Sequence, residues 1–389
     1  MRLVAPFGFY GAGNIGDEAT LNGFAQLLSQ AGIAVQVSVG SRNTEHTSRV
    51  EPAFRYFATS SRDPRRWMAK ILGNAQVIIG GTPIMDIEGD WPLDELTPIV
   101  RRIDHWKVPM VFVGIGTETL RSERSRRKVA EEIAPRVRHW SVRCDRDRQR
   151  LVECGVSPNS ITIAADMAWL IEPPSESFGR DRLRQWCVDD GQPIIGVNLV
   201  NETGLFNKHP RFVPEVARAL DQISIEMNAR ILFLANEVRG DTCFDSAAAS
   251  QVANQMKNKN AVFVAPAQYL SPQQMMSIIT CCDLTVSMRY HFCLFSALQG
   301  VPFVAIERSD KVADLCWDMN WSASIVPSML ESHELIEHLR GLRQNAPALR
   351  NRLQQCVQRM RKRAHQNVEA LNTLGLRGEF AGRRSVLAC

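Results

Sequence analysis

The chain alternates between two hydrophobic patterns. Runs of four to eight residues rich in Val, Ile and Phe fall at 1–8, 34–39, 75–80, 109–115, 138–143 and 161–165. A second series follows at 193–200, 229–235, 261–264, 283–287 and 302–306. Short, nearly continuous apolar runs of this kind mark strands buried on both faces of a parallel sheet. Between them the apolar residues take helical spacing, as at Leu21, Phe24, Leu27 and Leu28. Strand then helix, repeated, predicts α/β sheets with helices on both faces. The repeat breaks at Glu172-Pro173-Pro174-Ser175-Glu176-Ser177, which reads as a linker, and restarts at Pro193. Two doubly wound domains are therefore expected, over 1–173 and 180–345. The pattern beyond about 331 is helical and basic, and 346–389 is expected to be a basic helical tail. It carries Arg350, Arg352, Arg359, Arg361, Lys362 and Arg363, and its last dozen residues show no periodicity. Two such domains are expected to face each other across a cleft at the carboxyl ends of their strands, where open α/β sheets bind ligands.

Composition narrows the function classes without naming one. With 389 residues and 45% hydrophobic content the chain can build ordinary cores. The formal charge of +5 suits anionic small ligands and falls short of a nucleic-acid footprint. No run reaches the roughly 18 apolar residues of a membrane span. The start, Met1-Arg2-Leu3-Val4, soon meets glycines and is not expected to act as a signal region. Ten cysteines lie scattered without metal spacing, and the adjacent pair Cys281-Cys282 is a poor structural staple. Reduced thiols in a cytoplasmic protein are expected, with no metal.

Two segments carry candidate chemistry. Gly8-Phe9-Tyr10-Gly11-Ala12-Gly13-Asn14-Ile15-Gly16-Asp17-Glu18 follows the first strand and opens an amphipathic helix. Its glycines permit a tight turn and close approach of a ligand to backbone N–H groups. Gly11, Gly13 and Gly16 have dinucleotide-fingerprint spacing, but the second strand ends Val37-Ser38-Val39-Gly40-Ser41 without the acid such a site needs. Asp17 and Glu18 would also repel phosphates. A glycine turn capped by Asp17 is the plainer alternative. In the second segment, Asp283–Ser287 runs into Met288-Arg289-Tyr290-His291, then into an apolar helix and Gly300-Val301-Pro302. An anion there would meet Arg289, His291 and the N–H groups of a helix start.

These residues resemble a known family. The run GFYGAGNIGDEATL is similar to the opening motif of the polysaccharide pyruvyl transferases, and Arg289-Tyr290-His291 resembles the family's R-x-H turn, with Tyr290 where Leu is frequent. Gly80-Gly81-Thr82 with Asp86, Val113-Gly114-Ile115-Gly116, Ser141-Val142-Arg143-Cys144 and Asp166-Met167-Ala168 resemble further family segments. Thr82, Cys144 and Met167 depart from the usual residues. The resemblance implies a GT-B-like pair of Rossmann-type domains, the first on the acceptor side and the second on the phosphoenolpyruvate side. It implies transfer of the enolpyruvyl group of phosphoenolpyruvate to a saccharide, or lipid-linked saccharide, as a pyruvate ketal. Phosphoenolpyruvate is the donor and no cofactor is implied. His291, Asp17 and Glu18 are the implied catalytic residues. Arg143, Arg289, Tyr290, Asn14, Gly13 and Gly16 are the implied substrate contacts.

Two other readings remain open on sequence. One is a GT-B sugar-nucleotide glycosyltransferase, and the other a glycan-binding descendant without turnover. The basic tail and the run Arg121, Arg124, Arg126, Arg127 and Lys128 raise peripheral contact with the inner face of the cell membrane. A solvated helix face is the plainer explanation of them.

Overall fold

The computed structural model describes residues 2–59, 75–87, 89–239 and 244–377, so the aperiodic end of the tail lies outside the described residues. The chain divides into two compact units. The first comprises Met1–Ala12, Asp17–Ile171 and Arg359–Cys389; the second comprises Gly13–Gly16 and Glu172–Gln358.

The first unit is built on a seven-stranded sheet in the order β3-β2-β1-β4-β5-β6-β7. Its strands are β1 (Arg2–Ala5), β2 (Gln36–Ser41), β3 (Arg55–Ala58), β4 (Ala75–Ile79), β5 (Met110–Ile115), β6 (His139–Val142) and β7 (Ile161–Ile163). Every pairing is parallel. Val77, Ile78, Val111, Phe112 and Trp140 are at most 1% exposed. This is the both-face burial that their continuous apolar runs predict. Phe112 and Trp140 stack at 4.4 Å on one side of the sheet.

The second unit carries a six-stranded parallel sheet in the order β10-β9-β8-β11-β12-β13. Its strands are β8 (Ile194–Asn198), β9 (Arg230–Phe233), β10 (Val262–Val264), β11 (Leu284–Ser287), β12 (Phe303–Ile306) and β13 (Ser324–Ile325). Each predicted apolar run overlaps one of the strands, and β2 extends two residues beyond its run. Two strands escape the pattern. β3 is a partly exposed edge strand with Arg55 at its start, and β13 has only two residues. Neither leaves a long apolar run to read.

Both sheets reverse their strand order once. In the first the reversal lies between β1 and β4, and in the second between β8 and β11. Loops leaving the carboxyl ends of the two strands at such a switch point diverge and leave a crevice, the usual ligand site of an open α/β sheet.

The basic residues near the C-terminus are put to structural use. The helix Ala346–Ala364 ends with Arg361 donating to the carbonyls of Trp169 (3.0 Å) and Ile171 (3.1 Å). Arg363 Nη2 donates to those of Ala164 (2.7 Å) and Arg143 (2.9 Å). Asn367, fully buried, accepts from Ser141 Oγ at 2.7 Å and donates to Ala165 O at 2.9 Å. These bonds satisfy carbonyls beyond β6 and β7 that the sheet itself leaves unpaired. The run after Arg121 is likewise engaged: Arg124 and Lys128 pair with Asp90, and Arg127 with Glu123. No helix among the described residues is long and apolar enough to cross a membrane. Cys281 and Cys282 are both thiols.

Candidate functional site

The glycine loop leaves β1 at the switch point of the first sheet. Gly11 has φ +72°, and a Cβ there would fall 2.4 Å from both Asn43 N and Ser41 Oγ, so only glycine lets the loop lie against the end of β2. Gly13 has φ +87°, and a Cβ would meet Val238 O at 1.9 Å. Val238 N donates to Gly13 O at 2.8 Å, and Ile15 N to Asn236 O at 3.1 Å. Asn14 Oδ1 accepts from Gly16 N at 2.9 Å, which folds its amide over the start of the helix Ile15–Gln30. Asn14 therefore serves the loop's own backbone.

The two acids that open this helix have different surroundings. Asp17 is half-buried, with Oδ1 3.8 Å from where a Cβ on Gly81 would stand. Gly80 and Gly81, with φ +54° and +67°, make the turn after β4 that Asp17 faces. Glu18 is fully buried. Its Oε1 accepts from Gly11 N at 2.6 Å and from Thr47 Oγ1 at 3.3 Å. Burial pushes its carboxyl up to about 7, and the neighbouring Asp17 charge adds to that against the hydrogen bonds from Gly11 and Thr47. Tyr10, also buried, donates from its hydroxyl to Ile79 O at 2.5 Å and so ties the loop to β4.

Arg143 lies at the carboxyl end of β6, 5% exposed. It pairs with Asp166 Oδ2 at 2.8 Å, and its Nε donates to Gly114 O at 3.3 Å. The chain brings Asp166 in from beyond β7. Asp166 also caps the turn Met167–Leu170 by accepting from Ala168 N at 2.8 Å. Asp86 accepts from the backbone N–H groups of Arg121 and Ser122, which gives it a loop-holding role.

In the second unit, Arg289 stands at the N-cap of the helix Tyr290–Leu298, just beyond β11. Its side chain is buried and sits among three carboxylates. Nη2 reaches Asp245 Oδ1 at 2.6 Å and Glu237 Oε2 at 2.7 Å, while Nη1 faces Glu202 Oε2 at 3.8 Å. Burial opposes the Arg289 charge, but Asp245, Glu237 and Glu202 outweigh it and raise its pKa further. Asp245 Oδ2 is held by Asn198 Nδ2 (3.0 Å) and by the N–H groups of Asn236 (2.9 Å) and Glu237 (3.2 Å). Glu202 also takes Arg308 Nη1 at 2.8 Å. Burial works to raise the Glu202 carboxyl, yet Arg308, Arg289, Lys311 and Arg239 hold it down to about 2. Glu237 pairs with Arg239 as well, but burial wins there and its pKa is raised.

His291 is half-buried in the first turn of the same helix. Its ring packs edge to face on Tyr290 at 5.0 Å, and a Cβ on Gly16 would fall 2.1 Å from its Nδ1. Tyr290, 6% exposed, braces His291 from the core side. The reason is positional: it is the first residue of a helix whose side chains from Phe292 to Ala297 are all buried.

Glu202, Glu237, Asp245 and Arg308 escape a reading of the sequence. They follow β8, β9 and β12, and only parallel pairing around β11 brings them to Arg289. Glu202, Glu237 and Arg308 share a signal, a charged residue shortly after a buried strand where an open sheet exposes its carboxyl edge, whereas Asp245 comes from the start of the helix Phe244–Gln255. The cluster pairs three acids with Arg239, Arg289 and Arg308, so it orients cations without creating a large excess of positive charge.

Comparison with known proteins gives the same architecture. HepE from Anabaena, solved with UDP-glucose, superposes with a TM-score of 0.65 at 11% identity over 96% of this chain and 99% of that one. UDP-GlcNAc 2-epimerase from Neisseria meningitidis, bound to UDP-GlcNAc, gives 0.61 at 8% identity over 96% and 100%. ADP-heptose LPS heptosyltransferase II from E. coli gives 0.52 at 13% identity over 89% and 100%. At such identities the likeness concerns the GT-B fold alone. No curated protein matches the sequence. The family model for polysaccharide pyruvyl transferase matches residues 14–310, from Asn14 of the glycine loop past the Arg289–His291 turn. The chain belongs to the polysaccharide pyruvyl transferase family.

Proposed function

We propose that this transferase moves the enolpyruvyl group of phosphoenolpyruvate onto a saccharide diol, forming a pyruvate ketal and releasing phosphate. The observation that carries the reading is the turn at β11, where Arg289 is fixed by buried carboxylates and His291 stands beside it at a helix N-terminus. A donor with a phosphate and a carboxylate needs fixed cations and N–H donors of this kind.

The chemistry balances as follows. A proton adds to the methylene carbon of phosphoenolpyruvate, giving a methyl group and an oxocarbenium-like C2. One sugar hydroxyl bonds to C2 and gives up its proton. The C2–O bond to phosphate breaks, and a second hydroxyl closes the ring and surrenders its own proton. One of these two protons replaces the one spent on carbon, and the other leaves with phosphate. We assign His291, half-buried in the first turn of its helix, the proton delivered to carbon. Arg289 Nη1, whose contact is the distant Glu202, is the group for a donor oxygen. Arg308 and the helix N–H groups add to it. Asp17, half-buried and facing the Gly80-Gly81 turn, is the base for the sugar hydroxyl. Glu18, with Oε1 committed to Gly11 and Thr47, holds the loop. Arg143 keeps a candidate contact with a donor anion, beside its pairing with Asp166.

The test is incubation with phosphoenolpyruvate and a saccharide panel, followed by phosphate assay and mass spectrometry for a ketal. Phosphate release that needs both saccharide and His291 supports the reading. Stabilisation and turnover with UDP- or GDP-sugars alone would instead assign a glycosyltransferase, and saccharide binding without any turnover a glycan-binding protein.

A further inference from the structure

Three loops leave the carboxyl ends of β1, β2 and β4, the strands at and beside the switch point of the first sheet. They bring together Phe9, Arg42 and Trp91. The ring centroids of Phe9 and Trp91 are 5.2 Å apart at an interplanar angle of 75°. The Arg42 guanidinium carbon stands 4.3 Å over the Phe9 ring. Arg42 Nη2 lies 3.9 Å from Glu95 Oε2, in the first turn of the helix Leu93–His105. Backbone bonds fix the arrangement: Arg42 N donates to Tyr10 O at 2.9 Å, and Ile87 N to Trp91 O at 3.1 Å.

These side chains do not serve the core. Phe9 and Trp91 are half-buried, and Arg42 and Glu95 are exposed at 43% and 46% of their side chains. An exposed ion pair at 3.9 Å contributes little to stability. An aromatic pair held beside a guanidinium and a carboxylate, at the place where an open sheet accepts its ligand, has the composition of a polar-ligand site. The chemistry fits one class of molecule. A pyranose ring shows a face of C–H groups with slight positive charge, which suits the negative face of an aromatic ring. Its hydroxyls both accept and donate, so one can take a hydrogen bond from Arg42 and another give one to Glu95.

We propose that Phe9, Trp91, Arg42 and Glu95 form the subsite for a hexopyranose ring of the acceptor, with Trp91 as its stacking platform. This deepens the reading above, on which the word acceptor rests. Phe9 belongs to the same loop whose Gly11 is latched by Glu18, so the latch also places Phe9 against the Trp91 platform.

The test uses the full chain labelled with 5-fluorotryptophan and observed by fluorine NMR. The Trp91 resonance is identified by its loss in Trp91→Phe. The probes are methyl β-D-glucopyranoside and methyl β-D-galactopyranoside, with sorbitol as an open-chain polyol control. A saturable shift of the Trp91 resonance with a pyranoside and not with sorbitol is expected. In Phe9→Ala and in Arg42→Ala the apparent affinity should fall by about fivefold or more. Phe9→Tyr, which keeps the ring, should restore it. No saturable shift in the parent chain, or equal affinity in both alanine variants, overturns the proposal. Saccharide binding at Trp91 without phosphate release from phosphoenolpyruvate leaves this subsite standing and sinks pyruvyl transfer. Saccharide-dependent phosphate release with a silent Trp91 does the reverse.

Discussion

The imidazole of His291 rests against the backbone of Gly16, so closely that a Cβ at position 16 would lie 2.1 Å from Nδ1. Gly16 has no left-handed backbone to protect, so its lack of a side chain is required by this contact. Gly16→Ala should therefore displace the ring by an ångström or more while leaving the helix Ile15–Gln30 intact. A misplacement of about 1 Å costs roughly 100-fold in rate. Steady-state phosphate release measures it, with circular dichroism to verify folding. A Gly16→Ala enzyme at the parent rate would remove His291 from the mechanism.

Arg289 joins stability and activity in one residue. Arg289→Ala leaves Asp245 buried without its cation and Glu237 with Arg239 in place of two, at a cost of about 3–5 kcal/mol in urea unfolding. Arg289→Lys keeps the charge but loses the planar fork that meets two carboxylates and, in the proposed reaction, a donor oxygen. It should fold, with phosphate release at least roughly 100-fold lower. Parent-like activity in the lysine variant would show that the fork does not bind the donor.

Glu18 and Glu202 give opposite pH dependences. Burial raises the Glu18 carboxyl from 4.5 to about 7. The folded state then binds more protons, so this contribution is full below about pH 4.5 and is lost as pH rises through about 7. Glu18→Gln keeps an acceptor for Gly11 N and cannot ionise. At pH 8 it should be more stable than the parent by up to about 3 kcal/mol, an advantage absent at pH 4. Glu202, held at about 2, contributes above 4.5 and loses that contribution as pH falls towards 2. Urea midpoints from about pH 2 to 8 for both glutamine variants separate the two slopes. A Glu18→Gln chain that parallels its parent throughout would refute the raised carboxyl.

The Arg143–Asp166 pair should show its coupling in a double-mutant cycle. Arg143→Ala leaves a buried carboxylate uncompensated and should cost about 3–5 kcal/mol. Asp166→Asn removes that charge and retains an oxygen for Ala168 N. The double variant should therefore be more stable than Arg143→Ala alone. Simple additivity would mean that the two side chains do not depend on each other.

The sequence displayed its sheets because parallel strands buried on both faces write continuous apolar runs. Val77 to Ile79, Val111 to Val113 and Val286 are legible for that reason. Edge and vestigial strands are not: Arg55–Ala58 is half exposed and Ser324–Ile325 is too short for a pattern. The family was also legible, since the Gly8–Leu21 run and Arg289-Tyr290-His291 each carry their signal locally.

Tertiary structure decided the partners. Asp166 lies 23 residues from Arg143, and Asp245 lies 44 from Arg289 (166 − 143 and 289 − 245). No local rule reaches that far, because parallel pairing brings together strands that need long crossovers between them. The fold also separated Asp17 from Glu18, neighbours of the same charge, by turning one towards the Gly80-Gly81 turn and sealing the other beneath Gly11. Residue types and their spacing therefore established the fold and the family. Burial and long-range pairing, which depend on what the rest of the chain places around each side chain, decided which partners each charge meets.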